Sequence, residues 1–565
     1  MRLGEILARK GRATAAAIEA SLEGHAGEGK RVGEILVSDR LVSENDVIEA
    51  LAEQWGLPFL ASVPEAALDP SLIARLPVEW ARRHDILPVR LHDRVTALMD
   101  DPAKIAELEQ LSLVLGAPVE PALAPSAEIR RAVERVYVRR SESAGDLIRE
   151  MAAAPSDSSS AAPPISLTED LLRGVEGAPV TRLVNTILLD AARANASDIH
   201  LEPFENRLRI RFRMDGRLYD RPSPPKHLEA ALASRLKVMA RLDIAEKRLP
   251  QDGSARVRIG DREMDIRVST VPVAEGERIV LRLLRREAAA HSLEDLGMRD
   301  RPAAAFRRLL ARPQGMVLVT GPTGSGKTTT LYAALRELDT DRLNVMTIED
   351  PIEYQLPSIS QIQVNPRIEL TFARCLRHVL RQDPDVILVG ETRDLETAEI
   401  AIRAALTGHL VFTTLHTNDA ASAPQRLIDM GVAPYLLADA LCGVLAQRLV
   451  RRLCPHCREE AVVSEAEASA WGAAAARLAG RRHFRARGCA HCLEGYAGRL
   501  GLFELLLVDA HAAECIRSGA RRDALRSCAD SAGLPSLVED GLARALEGET
   551  SLAELARIVG VTAGA

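Results

Sequence analysis

Three sets of residues in this chain have the types and the spacing to do chemistry. Gly321-Pro322-Thr323-Gly324-Ser325-Gly326-Lys327-Thr328 is a GxxxxGK[ST] phosphate loop. Its glycines let successive backbone N–H groups turn toward an anion, and a helix starting there adds the partial positive charge of its N-terminus. Lys327 would reach the β- and γ-phosphates of ATP and the Thr328 hydroxyl would ligate Mg²⁺, with Thr329 completing the nucleotide-binding stretch. The second set is polar residues placed at the ends of apolar runs. Glu349 follows Val345-Met346-Thr347-Ile348, Glu391 follows Val386-Ile387-Leu388-Val389 and Gly390, and His416 follows Leu410-Val411-Phe412-Thr413-Thr414-Leu415. Ligands bind at the C-terminal edge of strands in α/β sheets, so these are catalytic candidates, His416 as a sensor of the γ-phosphate. Gly390 stands where many such segments carry Asp, which leaves Glu391 to act on water, or through water on Mg²⁺. Whether Glu349 or Glu391 positions the attacking water stays open at this level. Arg374, Arg377 and Arg381, spaced i, i+3 and i+7, would put three guanidinium groups on one helix face, suited to bidentate phosphate contact. The third set is Cys454-Pro455-His456-Cys457 and Cys489-Ala490-His491-Cys492, two CxxC pairs 31 residues apart. Cys454, Cys457, Cys489 and Cys492 match a closed tetrahedral Zn²⁺ site, structural rather than catalytic, with His456 and His491 as spare ligands. The other four cysteines, Cys375, Cys442, Cys515 and Cys528, are scattered singly.

The elements that must position these groups are legible in part. Met316-Val317-Leu318-Val319 reads as a buried strand leading into the phosphate loop, and Thr329 to Leu335 as the helix leaving it. Toward the N-terminus, Arg2-Leu3-Gly4-Glu5-Ile6-Leu7 recurs 29 residues later as Arg31-Val32-Gly33-Glu34-Ile35-Leu36. Two small helical units, residues 2–25 and 31–54, are therefore expected within an N-terminal docking and regulatory domain, 1–150. Ile86-Leu87-Pro88-Val89 and Val95 to Met99 are candidate strands within it. Residues 151–166, rich in Ala, Ser and Pro, read as a flexible linker. A smaller α+β domain follows at 167–290, with a helix near Val180 to Ala194 and strands at Leu208 to Phe212, Val257 to Ile259 and Met264 to Val268. Residues 291–565 carry the nucleotide chemistry, with the zinc insertion at about 454–492.

The chain has 565 residues, too many for one core, and a net charge of −6 from 73 Lys+Arg against 79 Asp+Glu. No global basic field or aromatic track argues for a nucleic-acid partner, which weighs against a DNA-translocating motor. No apolar run reaches the roughly 18 to 20 residues of a spanning helix, so the chain is expected in the cytoplasm. Two CxxC pairs favour a metal site in a reducing compartment over disulfides.

These motifs resemble a known family. Thr347-Ile348-Glu349-Asp350-Pro351-Ile352-Glu353-Tyr354 is similar to the aspartate box of secretion ATPases. Arg381-Gln382-Asp383-Pro384-Asp385 through Gly390-Glu391-Thr392-Arg393-Asp394 is similar to their Walker B box, and Gly408 to Thr417 to their histidine box. Leu242-Asp243-Ile244-Ala245-Glu246-Lys247-Arg248-Leu249-Pro250-Gln251-Asp252-Gly253 resembles the type II secretion branch, the general secretory pathway protein E family, within the secretion and type IV pilus ATPase superfamily. The resemblance implies a multidomain α/β protein whose C-terminal domain is a RecA-like P-loop NTPase with a zinc-binding insertion. A smaller PAS-like α+β domain and a helical N-terminal domain would precede it. It further implies a homo-hexameric, Mg²⁺-dependent ATPase, peripheral on the inner membrane, that drives assembly of a pseudopilus for protein export. Its implied partners are a membrane-anchored protein of the general secretory pathway L type, reached through the N-terminal domain, and an inner-membrane platform protein. Arg211, in Arg211-Phe212-Arg213-Met214-Asp215-Gly216, would meet nucleotide phosphates alongside Arg377 and Arg381. The repeat near the start resembles cyclic di-GMP-binding modules of related ATPases, with His25 in place of the first Gln, Val32 in place of the second Leu, and Arg12 at a usually apolar position. The competing readings are a type IV pilus extension ATPase and a nucleotide-binding scaffold with little turnover.

Overall fold

The computed structural model describes residues 2–25, 31–73, 76, 78–140, 148, 169–170, 179–259, 262–285, 291–519, 521–531 and 533–560. The linker expected at 151–166 lies outside the described residues, as does the spacer 26–30. The chain divides into two compact units, Met1–Met214 with Leu218–Leu284, and Asp215–Arg217 with Arg285–Ala565.

In the first unit the sequence repeat becomes two helix pairs, Leu3–Arg9 with Ala15–Gly24 and Val32–Ser38 with Glu44–Trp55. The second helix of each pair starts at a hydroxyl cap. Thr14 accepts the Ala17 N–H at 3.3 Å and Ser43 the Asp46 N–H at 3.2 Å, satisfying donors that the helix leaves open. Ile6, Leu7, Ile18, Leu36, Val42 and Val47 fill the space between the helices. A three-stranded sheet follows, from β1 (Ile86–Leu91), β2 (Arg94–Met99) and β3 (Glu120–Leu123), antiparallel then parallel. Farther along, β4 (Glu169–Asp170), β5 (Asp198–Pro203), β6 (Leu208–Met214), β7 (Arg217–Arg221), β8 (Gln251–Ile259), β9 (Arg262–Val273) and β10 (Gly276–Arg285) form a seven-stranded sheet. The helix Pro179–Arg193 supplies Leu183, Val184, Ile187 and Leu188 to the core of this region. β6 alternates with period two. Leu208, Ile210, Phe212 and Met214 enter the core, and Arg209, Arg211 and Arg213 take the other face.

The second unit is built on a seven-stranded sheet from β11 (Gly315–Thr320), β12 (Val345–Glu349), β13 (Ser360–Gln363), β14 (Val386–Val389), β15 (Leu410–Leu415), β16 (Leu441–Leu453) and β19 (Tyr496–Leu507). Its order is β13-β12-β14-β15-β11-β16-β19, parallel except for the last pair. A parallel sheet needs cover on both faces, which is why its strands are apolar runs rather than alternating ones. Met316 and Leu318 pack into one core with Ile348, Ile387 and Val411, while Val317 and Val319 pack into another with Leu388, Leu410 and Phe412. This is the RecA-like α/β core expected from the motifs. The short strands β17 (Glu459–Val462) and β18 (Arg482–Arg485) pair antiparallel between β16 and β19. Among the described residues no helix is long and apolar enough to cross a membrane.

Candidate functional site

The parallel sheet brings the C-terminal ends of β11, β14 and β15 side by side, because β15 lies between the other two. The phosphate loop follows β11 and runs into the helix Lys327–Arg336. Gly321 has φ +149°, and a Cβ on it would stand 2.4 Å from the Gln447 carbonyl oxygen, so only glycine lets the loop turn this close to β16. Pro322, Thr323 and Gly324 are exposed, Thr328 and Thr329 half-buried. The Ser325 hydroxyl is buried with no hydrogen-bond partner, an uncompensated polar atom where a phosphate oxygen would bind. Lys327 Nζ donates to the carbonyls of Gly321 at 2.7 Å and Pro322 at 3.2 Å, holding the side chain back across the loop it serves.

Burial pushes the Lys327 ammonium down to about 8, with Glu391 working against the shift and Arg448 adding to it. Bound triphosphate would favour the charged form. Below the free-state value the lysine is protonated with or without nucleotide, whereas above it binding must take up a proton. ATP affinity is therefore expected to hold steady up to about pH 7 and to fall, by as much as about tenfold per unit, as pH rises beyond the free-state pKa. Calorimetry at pH 8.5 to 9 in buffers of differing ionisation enthalpy reads the proton uptake directly, and an affinity unchanged from about pH 7 to 9 would contradict it.

Glu391 faces this lysine from the end of β14. His416 Nε2 lies 3.1 Å from its Oε1, and an Arg393 nitrogen 2.8 Å from its Oε2. Burial works to raise its pKa, yet Arg393, His416 and Lys327 together hold the carboxyl below the usual carboxylate range. The strand ends are stitched around it. Thr414 Oγ1 donates to the Gly390 carbonyl at 2.7 Å, and the Thr392 and Thr413 hydroxyls meet at 2.8 Å. Thr320, the last residue of β11, accepts the Thr417 N–H at 2.9 Å, which fixes the loop carrying His416 against the phosphate-loop strand. A Cβ at Gly390 would lie 3.0 Å from the Ile348 carbonyl and 3.3 Å from Glu349 Cα. Close packing of β12 on β14 thus accounts for glycine where an Asp is common in such segments.

Glu349 is placed differently. It is 3 % exposed and accepts from Tyr332 Oη, from Thr347 Oγ1 at 2.6 Å and from Gln361 Nε2 at 3.1 Å. Both oxygens are engaged, so in this conformation Glu391, not Glu349, is the carboxylate open to the phosphate loop. Tyr332 sits on the phosphate-loop helix, and burial, then the Glu349 contact, raises its pKa well above the ordinary phenol value.

The arginine expectation requires a correction. Arg374 and Arg377 lie on the helix Phe372–Val379, but that helix stops before Arg381. Arg381 turns back to donate to the Arg377 carbonyl at 2.9 Å, and the chain leaves through Asp383, at φ +52°, into Pro384. Beyond Val379 the backbone bonds tighten to i→i−3, Arg381 N–H to the His378 carbonyl and Gln382 N–H to that of Val379, so Arg381 lies past the end of the α-helix rather than on its face. Arg374 pairs with Glu369 at 3.6 Å and Arg377 with Glu396, and all three arginines are exposed. Arg211, in the first unit, donates to Glu202 at 2.6 Å, a carboxylate shared with Arg278 at 2.7 Å.

The four paired cysteines converge at the base of the β16/β19 pair. Cys454 follows β16 and Cys492 precedes β19. Their sulfurs are 3.9 Å apart for Cys454 and Cys489, 3.6 Å for Cys457 and Cys492, and 3.6 Å for Cys489 and Cys492. Four thiolates each about 2.3 Å from one zinc ion stand about 3.8 Å from one another, so the cluster already has the dimensions of a tetrahedral S₄ site. His456 and His491 are not among the clustered donors; their rings pack on each other at 5.0 Å.

Residues 174–557 match the family described as Type II/IV secretion system protein, and residues 55–143 match the MshEN domain. The chain is 49 % identical over 433 residues to the type II secretion system ATPase E of Vibrio cholerae, covering 76 % of this chain and 86 % of that one. It is 40 % identical over 566 residues to the type IV pilus assembly ATPase PilB of Myxococcus xanthus, covering 100 % and 99 %. The ATPase DotB of Yersinia pseudotuberculosis shares the fold at a TM-score of 0.50 and 21 % identity, covering 67 % of this chain and 94 % of that one. With a phosphate loop, a strand-end carboxylate facing its lysine, and a family match over most of its length, this chain belongs to the type II/IV secretion system protein family and is an ATPase.

Proposed function

We propose that the chain hydrolyses Mg-ATP between Lys327 and Glu391 and that the energy drives protein export by a type II secretion system. The observation that carries the site is Glu391, an anionic carboxylate held by His416 and Arg393 opposite the phosphate-loop lysine. Mg²⁺, when bound, supplies charge neutralisation on the β- and γ-phosphates. Thr328 would ligate it, while Ser325 and the loop N–H groups cradle the phosphates. Glu391 would accept from the attacking water or act through water on Mg²⁺, and His416, its Nε2 3.1 Å from Glu391 Oε1, would report whether the γ-phosphate is present. Glu349 would join only after releasing Tyr332 and Gln361. Arg211, Arg377 and Arg381 would neutralise phosphate charge when the working assembly, a homo-hexamer, brings them to a nucleotide. Cys454, Cys457, Cys489 and Cys492 hold a structural Zn²⁺.

In this reading the chain works in the cytoplasm, peripheral on the inner membrane, docked through its N-terminal domain on a membrane-anchored partner and acting on a platform protein to extend a pseudopilus. Phosphate release by the full chain is expected to rise with the membrane partner and acidic lipid and to be indifferent to DNA. Stimulation by DNA with no response to the partner would overturn the reading, and stimulation by pilus components alone would assign the pilus role suggested by the full-length similarity to PilB.

The N-terminal repeat supports a regulatory ligand, cyclic di-GMP. Arg2 and Arg31 stand at matching positions, each at the N-cap of the first helix of its pair. The MshEN match, residues 55–143, adjoins the repeat without containing it. Titration calorimetry of the full chain with cyclic di-GMP should give a saturable heat that weakens in Arg31→Ala. Absence of heat at high micromolar ligand would remove the proposal.

A further inference from the structure

Cys515 and Cys528 stand singly in the sequence, but the fold brings them together with a histidine. His511 and Cys515 are one turn apart on the helix Ala510–Arg517, and residues at i and i+4 share a helix face. Cys528 comes from the next helix, Arg522–Ser531. One ligand atom from each of the three lies within 4.8 Å of the others. We propose that His511, Cys515 and Cys528 form a second Zn²⁺ site, separate from the four-cysteine cluster, with water as the fourth ligand.

The donor set selects the ion. Two thiolates with one imidazole suit zinc and disfavour the hard, oxygen-seeking Mg²⁺ and Ca²⁺. The dimensions are within reach. Sulfur and nitrogen ligands of a tetrahedral zinc stand about 3.3 to 3.8 Å apart, so side-chain rotation closing each gap by about an ångström completes the site without moving either helix. Burial is graded across it. Cys528 is buried, Cys515 half-buried and His511 exposed, which sets the sulfurs against the core and leaves the imidazole side open to ion entry and to a water ligand. Ordinary packing explains a buried cysteine as a small apolar residue, but not an exposed imidazole meeting two sulfurs from adjoining helices.

The site would pin the two helices together where the second is tied to the catalytic loop. Arg522, at the start of that helix, pairs with Asp419 at 2.5 Å, and the Asp419 carbonyl accepts from Thr417 Oγ1 at 2.9 Å, one residue beyond His416.

The test is metal content of the full chain, purified under reducing conditions with zinc present and then desalted, read by mass spectrometry of the metal alongside circular dichroism. Wild type is expected to retain two zinc ions per chain, and His511→Ala and Cys528→Ala one each, the remaining ion belonging to the four-cysteine cluster. His511 is exposed, so His511→Ala reads the site even if Cys528→Ala fails to fold. One zinc per wild-type chain, or two that persist in His511→Ala, would overturn the proposal.

Discussion

Glu391→Gln is expected to bind Mg-ATP about as well as wild type and to lose about 10²- to 10⁴-fold in turnover, the range for removing a general base or a group that orients water. That corresponds to roughly 3 to 5 kcal/mol of transition-state stabilisation. Gln keeps the shape and can still meet Arg393 or His416 through its carbonyl, so the loss isolates the charge. Lys327→Ala should behave differently. It removes the one ammonium that reaches the phosphates from inside the loop, so binding and turnover should fall together, by about 10²- to 10³-fold in kcat/KM. A Glu391→Gln enzyme with near-normal turnover would move the chemistry to Glu349, which would then have to leave its three donors, Tyr332, Thr347 and Gln361, during the cycle.

Removing zinc from the four-cysteine cluster should have the largest effect on stability. Structural zinc in small domains contributes an apparent 10 to 16 kcal/mol or so, comparable with the whole stability of a domain at about 5 to 15. Here the cluster closes the ends of β16 and β19 around residues 455–491. Within that segment β17 and β18 pair over four residues, and Val463, Ala468, Trp471 and Leu478 pack it on the core of the unit, so it is the cysteine-bearing ends on either side that depend most on the metal. Cys457→Ser, or chelation of the wild type, should therefore open the insertion at these ends, seen as proteolysis within 455–491 before the rest of the unit. The parallel sheet should survive, because its cores on both faces are formed largely by other elements. Buried Arg451 would resist fraying at the boundary, paired with Glu554 at 3.0 Å and stacked 3.9 Å over the Tyr496 ring. A four-cysteine variant that keeps the insertion protected from protease would show that packing alone folds it.

Much of this site was legible because its signals are local. A phosphate loop must sit between a strand and a helix, and CxxC pairs must close on one another if they bind zinc, so a few adjacent residues carry the inference. The strands β11, β12, β14 and β15 read as apolar runs because a parallel sheet is covered on both faces. What escaped is set by contacts between distant segments. That Glu349 is sealed by Tyr332 and Gln361 depends on the phosphate-loop helix crossing β12, and nothing near either residue announces it. Gln447 and Arg448 come to the phosphate loop only because β16 pairs with β11. Arg381 failed for the opposite reason. The i, i+3, i+7 spacing runs past the helix end at Val379, where the turn tightens before Arg381 is reached. Cys515 and Cys528 looked isolated because two helices had to pack before their sulfurs could meet.

The central claim is turnover at the Lys327 and Glu391 site, and phosphate release measures it most directly. Wild type and Glu391→Gln, each fused to a hexameric scaffold, would be given saturating Mg-ATP while bound nucleotide is measured in parallel. Steady release by wild type, with Glu391→Gln binding ATP but releasing almost no phosphate, is the predicted result. Tight ATP binding with no release from the assembled wild type would contradict it and leave the chain as a nucleotide-dependent scaffold.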